Sequence, residues 1–310
     1  MKINKGLKIV ALLLIALALY SFAPLVPFYL MKDPPPYSNS MAASQLENNK
    51  GEYFEFIVLG DDHAGLILDD SAVLKLVRNI NREGRFNKAP IDFVEITGDI
   101  TFRGSAWDYR MFNRVRSLIN MPVICAVGNH DDDKDNGELF RKYAGADEFS
   151  FTDRNSYFIV VDNGPNDLSE NQFSYLEDQL NKSAAYSHRF IFLHKSPTSY
   201  QQTWYRPELS PWSYRFMRLC EKYKVDIVFS GHEHMFKKRS FGGVQYVTSG
   251  GGGIITHMPR QDGGFLHYIV VRVNGDYVDY EVRKISPPFW EFLAYYMWKD
   301  IFYFLKGVFV

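Results

Sequence analysis

Ile124-Cys125-Ala126-Val127-Gly128-Asn129-His130-Asp131 is an apolar run that stops at a glycine and then delivers polar side chains in direct succession. The apolar part reads as a buried strand. Glycine lets the backbone turn tightly, so that adjacent side chains reach one point. The same grammar recurs along the chain. Phe56-Ile57-Val58-Leu59-Gly60 leads into Asp61-Asp62-His63, and Val94-Glu95-Ile96-Thr97 into Gly98-Asp99. Phe190-Ile191-Phe192-Leu193 leads into His194, and Ile227-Val228-Phe229-Ser230 into Gly231-His232-Glu233-His234. In open α/β sheets, ligands sit in the crevice beyond the carboxyl ends of the strands, where such groups converge. A lone Asp-x-His is more often a cap or a hydrogen-bonded pair; the joint occurrence, each member after an apolar strand, points to metal.

Outward from these motifs, strand-like runs at Tyr53 to Leu59, Ile91 to Thr97 and Pro122 to Val127 alternate with helical patterns at about Ser71 to Arg82 and Ser105 to Ile119. The rhythm returns with Tyr157 to Val161, a helix opening at Ser169, Phe190 to Leu193, a helix around Trp212 to Tyr223, and Asp226 to Phe229. Val244 to Thr248, Leu266 to Val273 and Tyr277 to Val282 then follow as strands. Alternating β and α followed by consecutive strands predicts an α/β sandwich with mixed sheets.

The chain has 310 residues and a formal net charge of -1, so it carries no broad electrostatic pull toward nucleic acid, and no nucleic-acid scaffold binding is expected. Cys125 and Cys220 lack metal-ligand spacing and read as buried thiols. A zinc peptidase is excluded for want of His-Glu-x-x-His on a helix.

The two ends differ from the middle. Lys2, Lys5 and Lys8 precede an apolar stretch from Ile9 that continues to Met31, about the ~20 residues that cross a bilayer. Residues 1–31 are therefore expected to be a signal-anchor or transmembrane segment, with a cleaved signal peptide as the alternative. The lysines are expected to keep the short side cytoplasmic and the folded domain extracytoplasmic, with membrane lipid as a partner. Residues 32–51, with Asp33-Pro34-Pro35-Pro36 and a polar tract, read as a linker, and 52–286 as the folded domain. Residues 287–310 form an amphipathic aromatic segment that suits either a membrane interface or the domain's own surface.

The motif set Asp-x-His, Gly-Asp, Gly-Asn-His-Asp, His and Gly-His-x-His resembles that of the calcineurin-like metallophosphoesterase superfamily, over about Glu52 to Arg283. The resemblance implies an αββα sandwich of two mixed sheets flanked by helices. It implies that Asp61, His63 and His234 hold one divalent ion, that Asn129, His194 and His232 hold a second, and that Asp99 bridges them. Mixed imidazole, carboxylate and amide donors suit Mn, Fe or Zn. A hydroxide held by the ions then attacks a phosphomonoester or phosphodiester substrate, and His130 protonates or stabilises the leaving oxygen. Arg103, in Gly98-Asp99-Ile100-Thr101-Phe102-Arg103-Gly104, falls where protein Ser/Thr phosphatases grip phosphate with arginine. Phe102 departs from that subfamily, which has an aspartate there to orient the histidine, and from purple acid phosphatases, which have a metal-bound tyrosine. Asp131 or Asp62 is left to orient His130.

Tyr200, Trp204, Tyr205 and Arg206 lie in the segment after His194 and are candidates for the substrate wall. Gly250 to Gly253, with His257 and Arg260, form a second loop suited to close backbone approach. His188 and His267 read as incidental. The non-enzymatic alternative is a catalytically silent metal-binding scaffold at the membrane, which needs the ligands but not His130.

Overall fold

A computed structural model of the chain describes residues 8, 12–13, 15–16, 23, 25–35, 37–86, 90–132, 137–164, 167–199, 201–202, 207–208, 210–254, 256 and 258–286. Two short helices, α1 (Leu25–Leu30) and α2 (Asn39–Ser44), precede β1 (Tyr53–Leu59). β1, β2 (Ile91–Ile96) and β3 (Val123–Cys125) run parallel, joined by α3 (Ile67–Phe86) and α4 (Ala106–Ser117). After α5 (Glu138–Tyr143), β4 (Phe149–Asp153) pairs antiparallel with β5 (Ser156–Val160). β5, β6 (His188–Phe192) and β9 (Ile227–Ser230) are parallel, with α6 (Glu170–Lys182) and α7 (Pro211–Lys222) between them. A small pair, β7 (Gln201–Gln202) and β8 (Pro207–Glu208), lies between β6 and α7. β10 (Phe236–Phe241), β11 (Val244–Ser249), β12 (His267–Asn274) and β13 (Tyr277–Lys284) complete the order.

The strands divide into a five-stranded sheet, β13-β12-β1-β2-β3, and a six-stranded sheet, β10-β11-β9-β6-β5-β4. In β1, Phe54, Phe56 and Val58 enter one apolar cluster, while Ile57 and Leu59 enter another. That alternation belongs to a strand buried on both faces. The middle cluster is aromatic: the Phe56 ring lies 4.9 Å from Phe93, 5.2 Å from Phe190 and 5.5 Å from Phe158. Outside it, α3 and α4 cover the five-stranded sheet through Leu76, Ile80, Phe112 and Val115. Phe173, Leu176 and Phe216 of α6 and α7 pack with Ile159, Ile191 and Val228 of the six-stranded sheet. The layers are thus helix, sheet, sheet, helix, with the mixed sheets expected from the sequence. Capping boxes at Ser105 with Asp108 and at Ser169 with Gln172 start α4 and α6 where serine precedes the periodic pattern.

The amino-terminal region departs from expectation. Residues 38–50, read as a linker, are built into the fold. Asn39 is fully buried, and its side-chain amide accepts from Cys125 N at 2.9 Å while donating to Cys125 O and Ala146 O, both at 2.9 Å. β3 is an edge strand, so this amide takes the place of a neighbouring strand. Ala42 and Leu46 add apolar burial. So few apolar residues hold this segment that its composition alone reads as solvated.

Likewise, the last residues of the expected membrane segment belong to the fold. Leu25 and Phe28 are buried in the outer core, and the Arg114 guanidinium caps α1 by donating to Phe28 O at 3.3 Å and Tyr29 O at 2.9 Å. Arg114 also pairs with Asp33 at 2.7 Å. Among the described residues no helix is long and apolar enough to cross a membrane. Most of residues 1–24, and all of 287–310, lie outside the described residues.

Two outcomes follow for stability. Asn39→Ala leaves Cys125 N–H, Cys125 C=O and Ala146 C=O without their partner, and chemical denaturation should show a loss of about 2–4 kcal/mol. Glu95 of β2 is 0% exposed, and no side chain partners its carboxylate; only the Ala126 main chain bears on it. Burial holds its pKa well above the usual value. The folded chain therefore binds a proton that the unfolded chain releases near pH ~4.3. That contribution is complete below the unfolded value and is lost as pH rises toward the folded one. The melting temperature of Glu95→Gln should accordingly gain on the wild type as pH goes from 5 to 8; a pH-independent difference would refute a neutral Glu95.

Candidate metal centre

The loops that leave the strands continue the sheet's hydrogen bonding for a few residues. Asp61 N donates to Gly98 O at 3.1 Å and His63 N to Asp99 O at 3.0 Å, so the loops after β1 and β2 lie side by side. Gly231 N donates to His194 O at 2.9 Å, joining the loops after β6 and β9 in the same way. The two sheets meet through Asp61, whose carboxylate oxygens lie 3.0 and 2.9 Å from His232 N.

Asp61, His63, Asp99, His232 and His234 all have positive φ, between 45° and 68°. For non-glycine residues such a backbone costs on the order of 1–3 kcal/mol each and clusters at functional sites. The neighbouring glycines make room. A Cβ on Gly98 would stand 2.6 Å from His194 Nδ1, and one on Gly250 would stand 2.7 Å from His234 N. Gly252 N donates to Gly60 O at 2.8 Å, so the glycine-rich loop crosses directly over the start of the Asp61 loop.

These constraints bring together two groups of donor atoms. One atom each from Asp61, His63, Asp99 and His234 lie within 4.8 Å of one another, and so do atoms from Asp99, His194 and His232. Asp99 belongs to both. Asn129 Oδ1 stands 3.0 Å from His194 Nε2, which places it with the second group. Asp99 Oδ2 is 3.4 Å from His63 Nε2 and 3.3 Å from His194 Nε2. A buried set of carboxylate and imidazole donors sharing one carboxylate fits a dinuclear centre of transition-metal ions. Burial works to lower the His194 pKa, but Asp99 beside it raises it to about 9. Burial works to raise Asp99, and the same histidine holds it well below the carboxylate range. His232 is lowered to about 4 by burial and by His194.

Tautomers follow from the main chain. His194 Nδ1 lies 2.9 Å from Thr97 O, a pure acceptor, so Nδ1 carries the proton and Nε2 is left to ligate. His130 Nδ1 lies 2.7 Å from Phe102 O, and its main-chain N–H donates to Asp99 Oδ1 at 2.8 Å. Neither expected acid orients the His130 ring; the Phe102 carbonyl does. Asp131 is instead spent on the main chain, accepting from Gly128 N at 2.8 Å, Ile100 N at 3.2 Å and Thr101 N at 2.9 Å. Burial and the Asp99 charge raise it to about 7. Asp62 is buried with both oxygens unpartnered.

Arg103 is exposed, with its guanidinium carbon 4.8 Å from the Phe102 ring, which in turn stacks on His130 at 6.4 Å. Tyr200, Trp204, Tyr205, Arg206 and His257 lie outside the described residues. Arg260 sits in a short 3-10 turn. His188 and His267 are buried in hydrogen bonds of their own, to Gly275 O at 2.8 Å and to Phe265 O at 2.9 Å.

One residue escaped sequence reasoning. Asn163 Oδ1 accepts from His194 N at 2.8 Å and Lys195 N at 3.0 Å, while its Nδ2 donates to Lys195 O at 2.8 Å. It follows β5 as the other site residues follow their strands, and that position was its only signal. Asn163→Ala should weaken retention of metal about tenfold on dialysis, measured by elemental mass spectrometry. Retention equal to the wild type would show that His194 holds its place without it.

Comparison with known proteins agrees with this geometry. The model of the calcineurin-like phosphoesterase family matches residues 54–236, from β1 into β10. A curated relative, a probable glycerophosphodiester phosphodiesterase GpdQ of Arcobacter nitrofigilis, is 28% identical over 121 residues. That match takes in 34% of this chain and 42% of the relative, less than half of its length. Among solved structures, purple acid phosphatase PPD1 from yellow lupin (Lupinus luteus) superposes with a TM-score of 0.61 at 15% identity, over 76% of this chain and 52% of that one. GAP50, described as the anchor in the inner membrane complex of Plasmodium, gives a TM-score of 0.58 at 16% identity, over 76% and 85%. At such identities the superpositions speak for the fold alone. Because the family model spans more than half of the chain and its motif residues are the ones gathered at the strand ends, this chain belongs to the calcineurin-like phosphoesterases.

Proposed function

We propose that the chain is a metal-dependent phosphoester hydrolase in which Asp61, His63 and His234 hold one ion, Asn129, His194 and His232 hold the other, and Asp99 lies between them. The observation that carries this reading is the sharing of Asp99 by both donor groups, with His130 fixed beside it. Bound there, two divalent ions, drawn from Mn, Fe or Zn, would supply the Lewis acidity for attack on the phosphoryl group. His130 supplies what the ligands cannot. With Nδ1–H donating to Phe102 O, His130 in its imidazolium form would give the Nε2 proton to the leaving oxygen and be left as the neutral Nδ1–H ring. Arg103, laid against Phe102, is the candidate grip on the phosphate.

Phosphodiesters are the first substrates to test, since the curated relative carries the name of a glycerophosphodiester phosphodiesterase. Membrane attachment through residues before α1, with the domain on the extracytoplasmic side, is part of the same reading. Its support is the Lys2, Lys5 and Lys8 cluster ahead of the apolar run from Ile9.

The test is turnover of a chromogenic phosphodiester and phosphomonoester, and of glycerophosphodiesters, by the purified chain with added Mn. Turnover is expected with at least one of them. His130→Ala should keep its metal while kcat falls roughly 100-fold or more. Loss of metal in that variant would remove the role assigned to His130. Full metal occupancy with no turnover of any substrate would favour the silent scaffold.

A further inference from the structure

A cavity of about 390 Å³ lies where Pro34, Pro35 and residues 37–45 cross the carboxyl end of α4 and the amino end of β3. Pro34, Tyr37, Met41 and Val123 give it apolar walls, and Arg116 is part of its lining. Val123 opens β3, whose far end leads to Asn129, so cavity and metal centre lie at opposite ends of that strand.

Arg116 is 3% exposed. Its Nη2 donates to Asn113 Oδ1 at 2.8 Å and to Tyr143 O at 3.0 Å, but Nε and Nη1 have no hydrogen-bond partner. The ionisable groups that act on it are Cys125 and Tyr37, and among the described residues no carboxylate ion-pairs with it. The rings of Tyr37 and Phe112, 5.1 and 5.4 Å from the guanidinium carbon, offset part of the desolvation, about 0.5–2 kcal/mol each. Burying a charge costs several kcal/mol. Burial lowers the Arg116 pKa, yet a guanidinium stays protonated at neutral pH. Arg116 therefore places beside the cavity a buried positive charge that has no counter-charge.

We propose that this cavity binds a small amphiphilic carboxylate, an aryl or short acyl acid whose anionic group neutralises Arg116 while its apolar body lies against Tyr37, Met41 and Pro34. The volume is that of a small-molecule site, mostly apolar with few polar anchors. One negative charge matches the one unpaired positive charge. A phosphate dianion would bring a second charge with few donors left: Gln45 Nε2 is already engaged with Tyr37 Oη at 2.8 Å and Met41 O at 3.2 Å. Occupancy holds residues 37–45 against β3, the segment from which Asn39 reaches Cys125. The ligand thereby stabilises the fold by mass action.

Calorimetric titration and thermal unfolding of the full chain with 4-phenylbutyrate, its neutral amide and inorganic phosphate test the assignment. The acid should bind at least about tenfold more tightly than the amide and raise the melting temperature. Arg116→Gln should abolish that preference. Ser117→Trp, at the exposed rim, should block both compounds, and both variants should keep wild-type phosphoester hydrolysis. Equal affinity for acid and amide, wild-type binding of the acid by either variant, or no binding of the acid at millimolar concentration would each overturn the proposal. Tighter binding of phosphate than of the acid, lost in Arg116→Gln, would overturn the ligand class. If Arg116→Gln does not fold, the acid-against-amide comparison and Ser117→Trp decide the matter.

Discussion

The Asp99 carboxylate is 1% exposed, and the site is arranged around the cost of keeping it charged there. An isolated buried carboxylate is several kcal/mol less favourable than a solvated one, and only close compensation keeps it ionised. His63 comes from the loop after β1, His130 N–H from the loop after β3, and His194 from the other sheet. All three must approach one side chain from different elements. The left-handed backbone at Asp61, His63, Asp99, His232 and His234 is the conformational cost of that convergence. The bonds from Asp61 N to Gly98 O and from Gly231 N to His194 O keep such backbones from relaxing.

A rigid frame carries the strain. Phenylalanine rings fill the space between the sheets, and the carboxyl ends of β1 and β9, one strand from each sheet, are joined by His232 N–H on the Asp61 carboxylate. Side chains outside the two donor groups fix the rest. Asp131 gathers the N–H groups of Gly128, Ile100 and Thr101, tying the Gly98-Asp99 loop to the Gly128-Asn129 loop. Asn163 does the same for the His194 turn. In the family's motif Asp131 stands beside the histidine as though it acted on it; its bonds show a brace between loops.

Strands whose residues all face a core were legible, because unbroken apolar runs in β1, β6 and β9 leave little else possible. The candidate ligands were legible because glycine-flanked polar clusters follow those strands. β4 and β10 were not, since Phe149–Asp153 and Phe236–Phe241 are half-exposed edge strands with mixed polar sequence. α1, α2 and α5, each six residues long, lack room for a periodic signal. The orienting partner of His130 was illegible for another reason. It is a main-chain carbonyl, and a carbonyl carries no residue identity for a sequence to display. Asn163 was hidden likewise, as an asparagine after a strand has many ordinary uses.

Asn39 closes the exposed edge of β3 with a side chain. An open edge of a buried-type sheet is a template for a strand from another molecule. A fragment cut free at the start of β1 would lose this cover, together with Ala42 and Leu46, and would present Cys125 and its neighbours as a vacant pairing site. Self-association through that edge, rather than unfolding, is the failure to expect of such a fragment. The polar tract ahead of the first strand is in this sense part of the fold, which reaches back to Leu25 and Phe28 of α1.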